Sequence, residues 1–93
     1  MVTVVWSDDA IEDLTLIHSY ISSDYTFYAD RQIQRITHRT KQIGLSPKSG
    51  RVVPEYNNPL IRELIEGKYR IIYEIKPEAV WVLRIYHGAR LLK

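Results

Sequence analysis

All four glycines and all four prolines of this 93-residue chain lie from Gly44 onward, so the first 43 residues contain no strong breaker of regular structure. Helices require such a stretch, whereas a Gly/Pro-punctuated second half reads as turns between strands. Val2-Thr3-Val4-Val5-Trp6 is short, β-branched and aromatic, and predicts a strand. Ser7 offers an N-cap, and Asp8, Asp9, Glu12 and Asp13 fill the first turns, where the helix dipole favours anions. Ala10, Ile11, Leu14, Ile17 and Ile21 recur at helical spacing and predict a first helix over residues 8–23. Ala29, Ile33, Ile36, Thr40 and Ile43 step by three and four and predict a second over residues 27–43, with Gly44 as its C′ residue. The short link between the two predicts an antiparallel helical hairpin.

Ser46-Pro47-Lys48-Ser49-Gly50 is expected to be a loop, and Pro54 with Asn57-Asn58-Pro59 to keep the following stretch irregular. Three strands are predicted after it: Leu60 to Glu66, Tyr69 to Ile75, and Val80 to Tyr86. Gly67-Lys68 makes a two-residue hairpin connector and Lys76-Pro77-Glu78 a longer one. The resulting order is β-α-α-β-β-β. The expected class is α+β, a helical hairpin packed on a small, mostly antiparallel sheet. Residues 1–93 suit one domain, since typical domains run to about 100–150 residues.

Composition removes many functions. With 45% hydrophobic and 26% charged residues the chain is neither a disordered tail nor a low-complexity linker. It has no cysteine, which excludes a disulfide framework, a thiolate nucleophile and Cys-ligated metal. There is no basic n-region of a signal peptide and no run near the roughly 20 apolar residues that span a bilayer. A cytoplasmic location without membrane association is expected. The net charge of +2 conceals segregation. Residues 1–30 carry six acids and no Lys or Arg; residues 31–93 carry all thirteen bases against five acids, a balance of +8. Such an imbalance suggests a basic surface able to meet nucleic acid or an acidic protein, unless folding intermixes the two halves.

Familiar catalytic patterns are missing: no glycine-rich phosphate loop, no G-x-S-x-G elbow, no zinc spacing. Neither cofactor nor metal is expected. Asp8, Asp9, Glu12 and Asp13 are explained by their helix start, and His18 and His38 by ordinary helix positions. Glu55, Arg62, Glu63, Arg70, Arg84, His87 and Arg90 fall on or beside the predicted strands. A metal-free ribonuclease needs a base for the ribose hydroxyl, an acid for the leaving oxygen and cations for the developing phosphate charge. Glu55 or Glu63, His87, Arg70 and Arg90 have the chemistry for those roles. On spacing alone they equally suit polar strand positions alternating with Leu64, Ile71, Tyr73 and Val82. Arg31, Arg35 and Arg39 form an i, i+4, i+8 stripe on the second helix; with Arg62 and Arg84 they make up a candidate binding surface, or else a solvated face.

Several segments in order resemble RelE/ParE superfamily toxins. They are Val4-Val5-Trp6-Ser7 followed by Ala10, Asp13-Leu14, Ile17 and Tyr20-Ile21; Gly50-Arg51-Val52-Val53-Pro54-Glu55; Ile61-Arg62-Glu63-Leu64; Tyr69-Arg70-Ile71-Ile72-Tyr73; and Leu83 through Arg90. The resemblance spans essentially the whole chain. It implies the toxin half of a type II toxin–antitoxin pair, of plasmid-stabilisation type, neutralised by a cognate antitoxin that wraps the sheet and helices. With a toxin half of +8, an acidic, partly disordered antitoxin segment carrying apolar anchors is expected.

The superfamily divides by mechanism. RelE- and YoeB-like members cut mRNA in the ribosomal A site, whereas ParE-like members poison DNA gyrase. By resemblance Arg70 falls where the ribonucleases keep a phosphate-binding arginine, His87 near a YoeB-like general acid, and Arg90 near a RelE-like arginine. The paired lysines of RelE have no match, since Ile61-Arg62-Glu63 stands there, and the chain ends at Lys93, before the position of a C-terminal catalytic tyrosine. Tyr20-Ile21, Asp24 and Ala29 are similar to ParE-like members, and +2 is a small excess for a binder of ribosomal RNA. Gyrase poisoning is the expected activity. A ribosome-dependent endonuclease is the first alternative, and a degenerate, non-toxic antitoxin-binding module the second.

Overall fold

In the computed structural model, which describes residues 1–88, a short strand leads into two helices and then four further strands. The elements are β1 (Val4–Trp6), α1 (Asp8–Ser22), α2 (Thr26–Leu45), a 3-10 turn (Pro47–Ser49), β2 (Arg51–Val52), β3 (Ile61–Glu66), β4 (Tyr69–Ile75) and β5 (Val80–His87). One sheet contains all five strands in the order β1-β5-β4-β3-β2. β1 runs parallel to β5, and every other pairing is antiparallel. The α+β class and the helical hairpin on a small, mostly antiparallel sheet are therefore observed.

α1 starts as its first residues dictate. The Ser7 hydroxyl accepts from the Ala10 amide at 3.0 Å, and Asp8 and Asp9 occupy the first turn. Ala10, Leu14 and Ile17 then face the sheet together with Ile36 and Ile43 of α2. Beneath them lie Leu64, Ile71, Tyr73, Val80, Val82 and Ile85, with Ala10, Ile36, Ile43, Ile71, Tyr73, Val80 and Val82 wholly removed from solvent. Burial of this kind stabilises by roughly 1.5–3 kcal/mol per large aliphatic side chain. A smaller apolar cluster, Val53 and Ile72 with Ile61 and Tyr86, occupies the other face of the sheet.

Three local expectations need correction. Gly44 is not the C′ residue of α2, because the helix continues through it to Leu45. Its role is close approach: a Cβ there would lie 2.9 Å from the Val2 carbonyl oxygen and 3.1 Å from Val4 Cγ2. The same contact shortens the first strand, since the Val2 amide donates to the Gly44 carbonyl at 2.9 Å and the ladder with β5 begins only at Val4. Arg51–Val52, expected to be irregular, pair with Glu63 and Arg62 as the outermost strand. At two residues, β2 is too short to leave a periodic pattern.

Candidate functional site

The candidate catalytic residues divide between the two faces of the sheet. In the β4–β5 register, Arg70 lies opposite Tyr86, while Tyr69 lies opposite His87. Successive strand residues point to opposite faces, so Arg70 and His87 project away from each other. The Tyr69 and His87 rings, edge to face at 5.8 Å, share the helix side of the sheet. Arg70 shares the other side with Ile72 and Glu63, because Glu63 pairs with Ile72.

On that second face a charge cluster forms around Arg70. Its Nε donates to Glu63 Oε1 at 2.6 Å, and its two terminal nitrogens donate to Glu55 Oε2 and Oε1 at 2.8 and 3.0 Å. Glu63 is almost wholly buried at 1% exposure, and its second oxygen accepts from Arg51. A buried carboxylate is tolerable only when paired and hydrogen-bonded; Arg70 and Arg51 meet both needs. Donating to Glu55 above all, and also to Glu63, raises the Arg70 pKa further above its ordinary value against the opposing effect of burial, so the guanidinium stays charged. β3 and β4 position Glu63 and Arg70, and Glu55 reaches in from the turn after β2.

On the helix side, His87 is exposed at the end of β5 and lines a shallow pocket with Asp13, Leu16, Ile17, Tyr20 and Tyr69. Burial, and then the neighbouring Tyr20, push the Tyr69 hydroxyl pKa up. Arg90 lies outside the described residues.

The candidate binding arginines also separate. Arg62 is turned inward, donating to the Pro59 carbonyl at 3.0 Å and the Gly50 carbonyl at 2.9 Å. Arg84 lies over the Tyr86 ring, 4.8 Å from its centroid, and is gripped by both oxygens of Asp13 at 2.8 and 3.0 Å. Arg39 donates to Gln42 and, at 3.1 Å, to the Ile65 carbonyl. Only Arg31 and Arg35 of the five lie open on the outer face of α2. There they line a groove of about 500 Å³ with Phe27, Gln34, His38 and Glu66. Reading the helix as an arginine stripe overlooked Phe27 and His38. Their spacing of four residues before Arg31 and three after Arg35 was the available signal.

A helical hairpin on this mixed five-stranded sheet defines a recognisable class. A family model described as "ParE toxin of type II toxin-antitoxin system, parDE" matches residues 4–92. A relative from Caulobacter vibrioides, described as Toxin RelE2, is 33% identical over 92 residues, covering 98% of this chain and 100% of its own. Among solved structures, the chromosomal ParDE system from P. aeruginosa has the same fold, with a TM-score of 0.80 and 22% identity over 94% of this chain and 96% of that one. The chain belongs to the ParE toxin family of type II toxin–antitoxin systems.

Proposed function

We propose that this toxin, with residues 1–93 acting as a single domain, arrests growth by binding and poisoning DNA gyrase and is held in check by a cognate antitoxin. The observation that best supports contact over catalysis is the separation of Arg70 from His87 on opposite faces of the sheet. A general acid and a phosphate-stabilising cation must reach one scissile phosphate within hydrogen-bonding distance. Arg70 is, moreover, already engaged by Glu55 and Glu63, the two residues with the chemistry to serve as the ribonuclease base. Family membership supports the toxin role, and the modest net charge of +2 favours a protein target over a polyanion.

The test is induction in a bacterial host with parallel readouts. Gyrase poisoning predicts an induced DNA-damage response, filamentation and trapped gyrase–DNA cleavage complexes, with intact mRNA. Rapid translation arrest with A-site mRNA cuts would replace this reading with the ribosome-dependent endonuclease. A folded chain without growth effect would leave only antitoxin binding.

A further inference from the structure

β1 ends the sheet, and among the described residues no strand lies on its other side. The Val80 amide donates to the Thr3 carbonyl and the Ser7 amide to the Val82 carbonyl, each at 2.9 Å, so Thr3, Val5 and Ser7 face β5. Backbone groups alternate along a strand, which turns those of Val4 and Trp6 outward. The Val2 amide also points outward but is taken by the Gly44 carbonyl at 2.9 Å. Open edges are normally guarded by a charge, a proline or a bulge. β2, at the opposite edge, carries Arg51 and is soon followed by Pro54, whereas Val4-Val5-Trp6 has no such guard. Beside β1 runs an apolar groove of about 460 Å³, walled by Val4, Trp6, Thr40, Lys41 and Gly44. Val2 and Leu45, also in its lining, are 36% and 71% exposed.

We propose that β1 pairs with β1 of a second copy of this chain, antiparallel about a two-fold axis, so that one continuous sheet crosses both copies. The outward groups are self-complementary. With Val5 on the axis, Val4 of each copy lies opposite Trp6 of the other, and each such pair exchanges two N–H···O bonds. On the face away from the helices, Val5 lies beside Trp81, so the axis brings two Val5 side chains together between two Trp81 rings. On the helix side the two grooves meet, with Val2 and Leu45 of each copy closing them. Charge selects this occupant. Lys41 is the one charged side chain in the groove lining, and β1 has none, so two copies meet without opposed charges. An acidic segment would find little there to pair with.

The experiment uses the purified full chain without antitoxin. Sedimentation equilibrium should show a concentration-dependent dimer. Val2→Glu/Leu45→Glu should weaken it at least tenfold, and Leu16→Glu, at another exposed apolar position, should leave it unchanged. Hydrogen exchange should show the Val4 and Trp6 amides gaining protection as concentration rises, while β5 protects the Val5 amide throughout. The chain has no cysteine, so a cross-link through Val5→Cys is unambiguous. Residues facing each other in a non-hydrogen-bonded antiparallel pair lie about 4.5 Å apart between Cα atoms, within disulfide range. Under mild oxidation Val5→Cys should form a disulfide dimer at least tenfold faster than Ile11→Cys, an exposed site on α1. A monomer at every concentration, equal weakening by Leu16→Glu, or equal cross-linking at both sites would each overturn the proposal. So would Val4 and Trp6 amides that gain protection only when antitoxin is added, which would give the edge to that partner. None of these readouts involves gyrase, so their failure leaves the proposed activity standing.

Discussion

Asp13 and Arg84, 71 positions apart, close the open edge of the sheet: one carboxylate holds the Arg84 guanidinium at 2.8 and 3.0 Å and also accepts from the Ile85 amide at 2.9 Å. β1 covers β5 only from Val80 to Val82, and beyond that the strand would present unpaired backbone groups. The Ser7 hydroxyl donates to the Leu83 carbonyl at 2.9 Å and Asp13 accepts from the Ile85 amide, so the start of α1 replaces the missing strand. Asp13→Ala should therefore cost about 1–3 kcal/mol by leaving a partly buried amide without its acceptor. Hydrogen exchange should report the loss first at Ile85. Unchanged protection there would mean that the carboxylate is not what seals the edge.

Glu63→Ala should be the most damaging single change on the second face. It removes the carboxylate that accepts from both the Arg70 and the Arg51 Nε, and removing one partner of a buried charge pair costs about 3–5 kcal/mol. Glu55, whose side chain is 25% exposed, should matter less: Glu55→Ala is expected to cost about 1.5–3 kcal/mol, as for hydrogen bonds to charged groups. Urea denaturation of both variants and of Glu63→Ala/Arg70→Ala checks the order. The double variant should be less destabilised than the sum of its singles, because Glu63 and Arg70 are direct partners and each single removes the same hydrogen bond.

Tyr73 ties the loop before β2 to the sheet. Its hydroxyl donates to the Pro47 carbonyl at 2.6 Å and accepts from the Gly50 amide at 2.9 Å. Burial raises its pKa above the ordinary 10.0. A raised folded-state value means that the native chain holds this proton more tightly than the unfolded chain does. The associated stability is complete below about pH 10 and is lost as pH climbs through the folded-state value. Tyr73→Phe should cost about 1–3 kcal/mol near neutrality, by orphaning two backbone groups, and should flatten the alkaline decline. Denaturation midpoints between pH 8 and 11.5 would show both effects. Gly50→Ala should be harsher, since its Cβ would fall 2.5 Å from the same hydroxyl and 2.6 Å from the Glu63 carbonyl oxygen.

The periodic parts of this fold were legible from residue order because each element is long enough to repeat its pattern. Tyr69-Arg70-Ile71-Ile72-Tyr73 reads as an interior strand, and Ala10, Leu14 and Ile17 as one buried helix face. What escaped depends on contacts between distant residues. Gly44 looked like a helix stop because nothing nearby in sequence announces that Val2 will press against it. Arg62 and Arg84 looked like surface cations because their partners, Gly50 and Asp13, lie on other elements. The register alone separates Arg70 from His87, and register is invisible until strands are paired. Among the described residues no distant partner arises for Arg31 and Arg35, and both stay exposed on α2.

His87 offers the cleanest division between contact and catalysis. Arg70→Ala is a poor discriminator, since it takes a partner from the buried Glu63 and from Glu55 and lowers the amount of folded toxin whatever the mechanism. His87 is exposed, sits edge to face with Tyr69, and can be replaced without orphaning a buried group. His87→Gln keeps a hydrogen-bonding side chain but cannot donate a proton as an acid near neutral pH. A general acid contributes typically 10²–10⁴-fold in rate, so a ribonuclease would lose nearly all toxicity in this variant. A toxin working by contact should lose little. The expected outcome is growth inhibition within about twofold of wild type at matched, circular-dichroism-verified levels of folded protein, with no A-site cuts in mRNA from either strain. Loss of toxicity in His87→Gln, together with A-site mRNA cuts that the wild type makes and the variant does not, would return the chain to the ribosome and give His87 a catalytic role on the helix side of the sheet, with Tyr69 and Tyr20 rather than Arg70 as its neighbours.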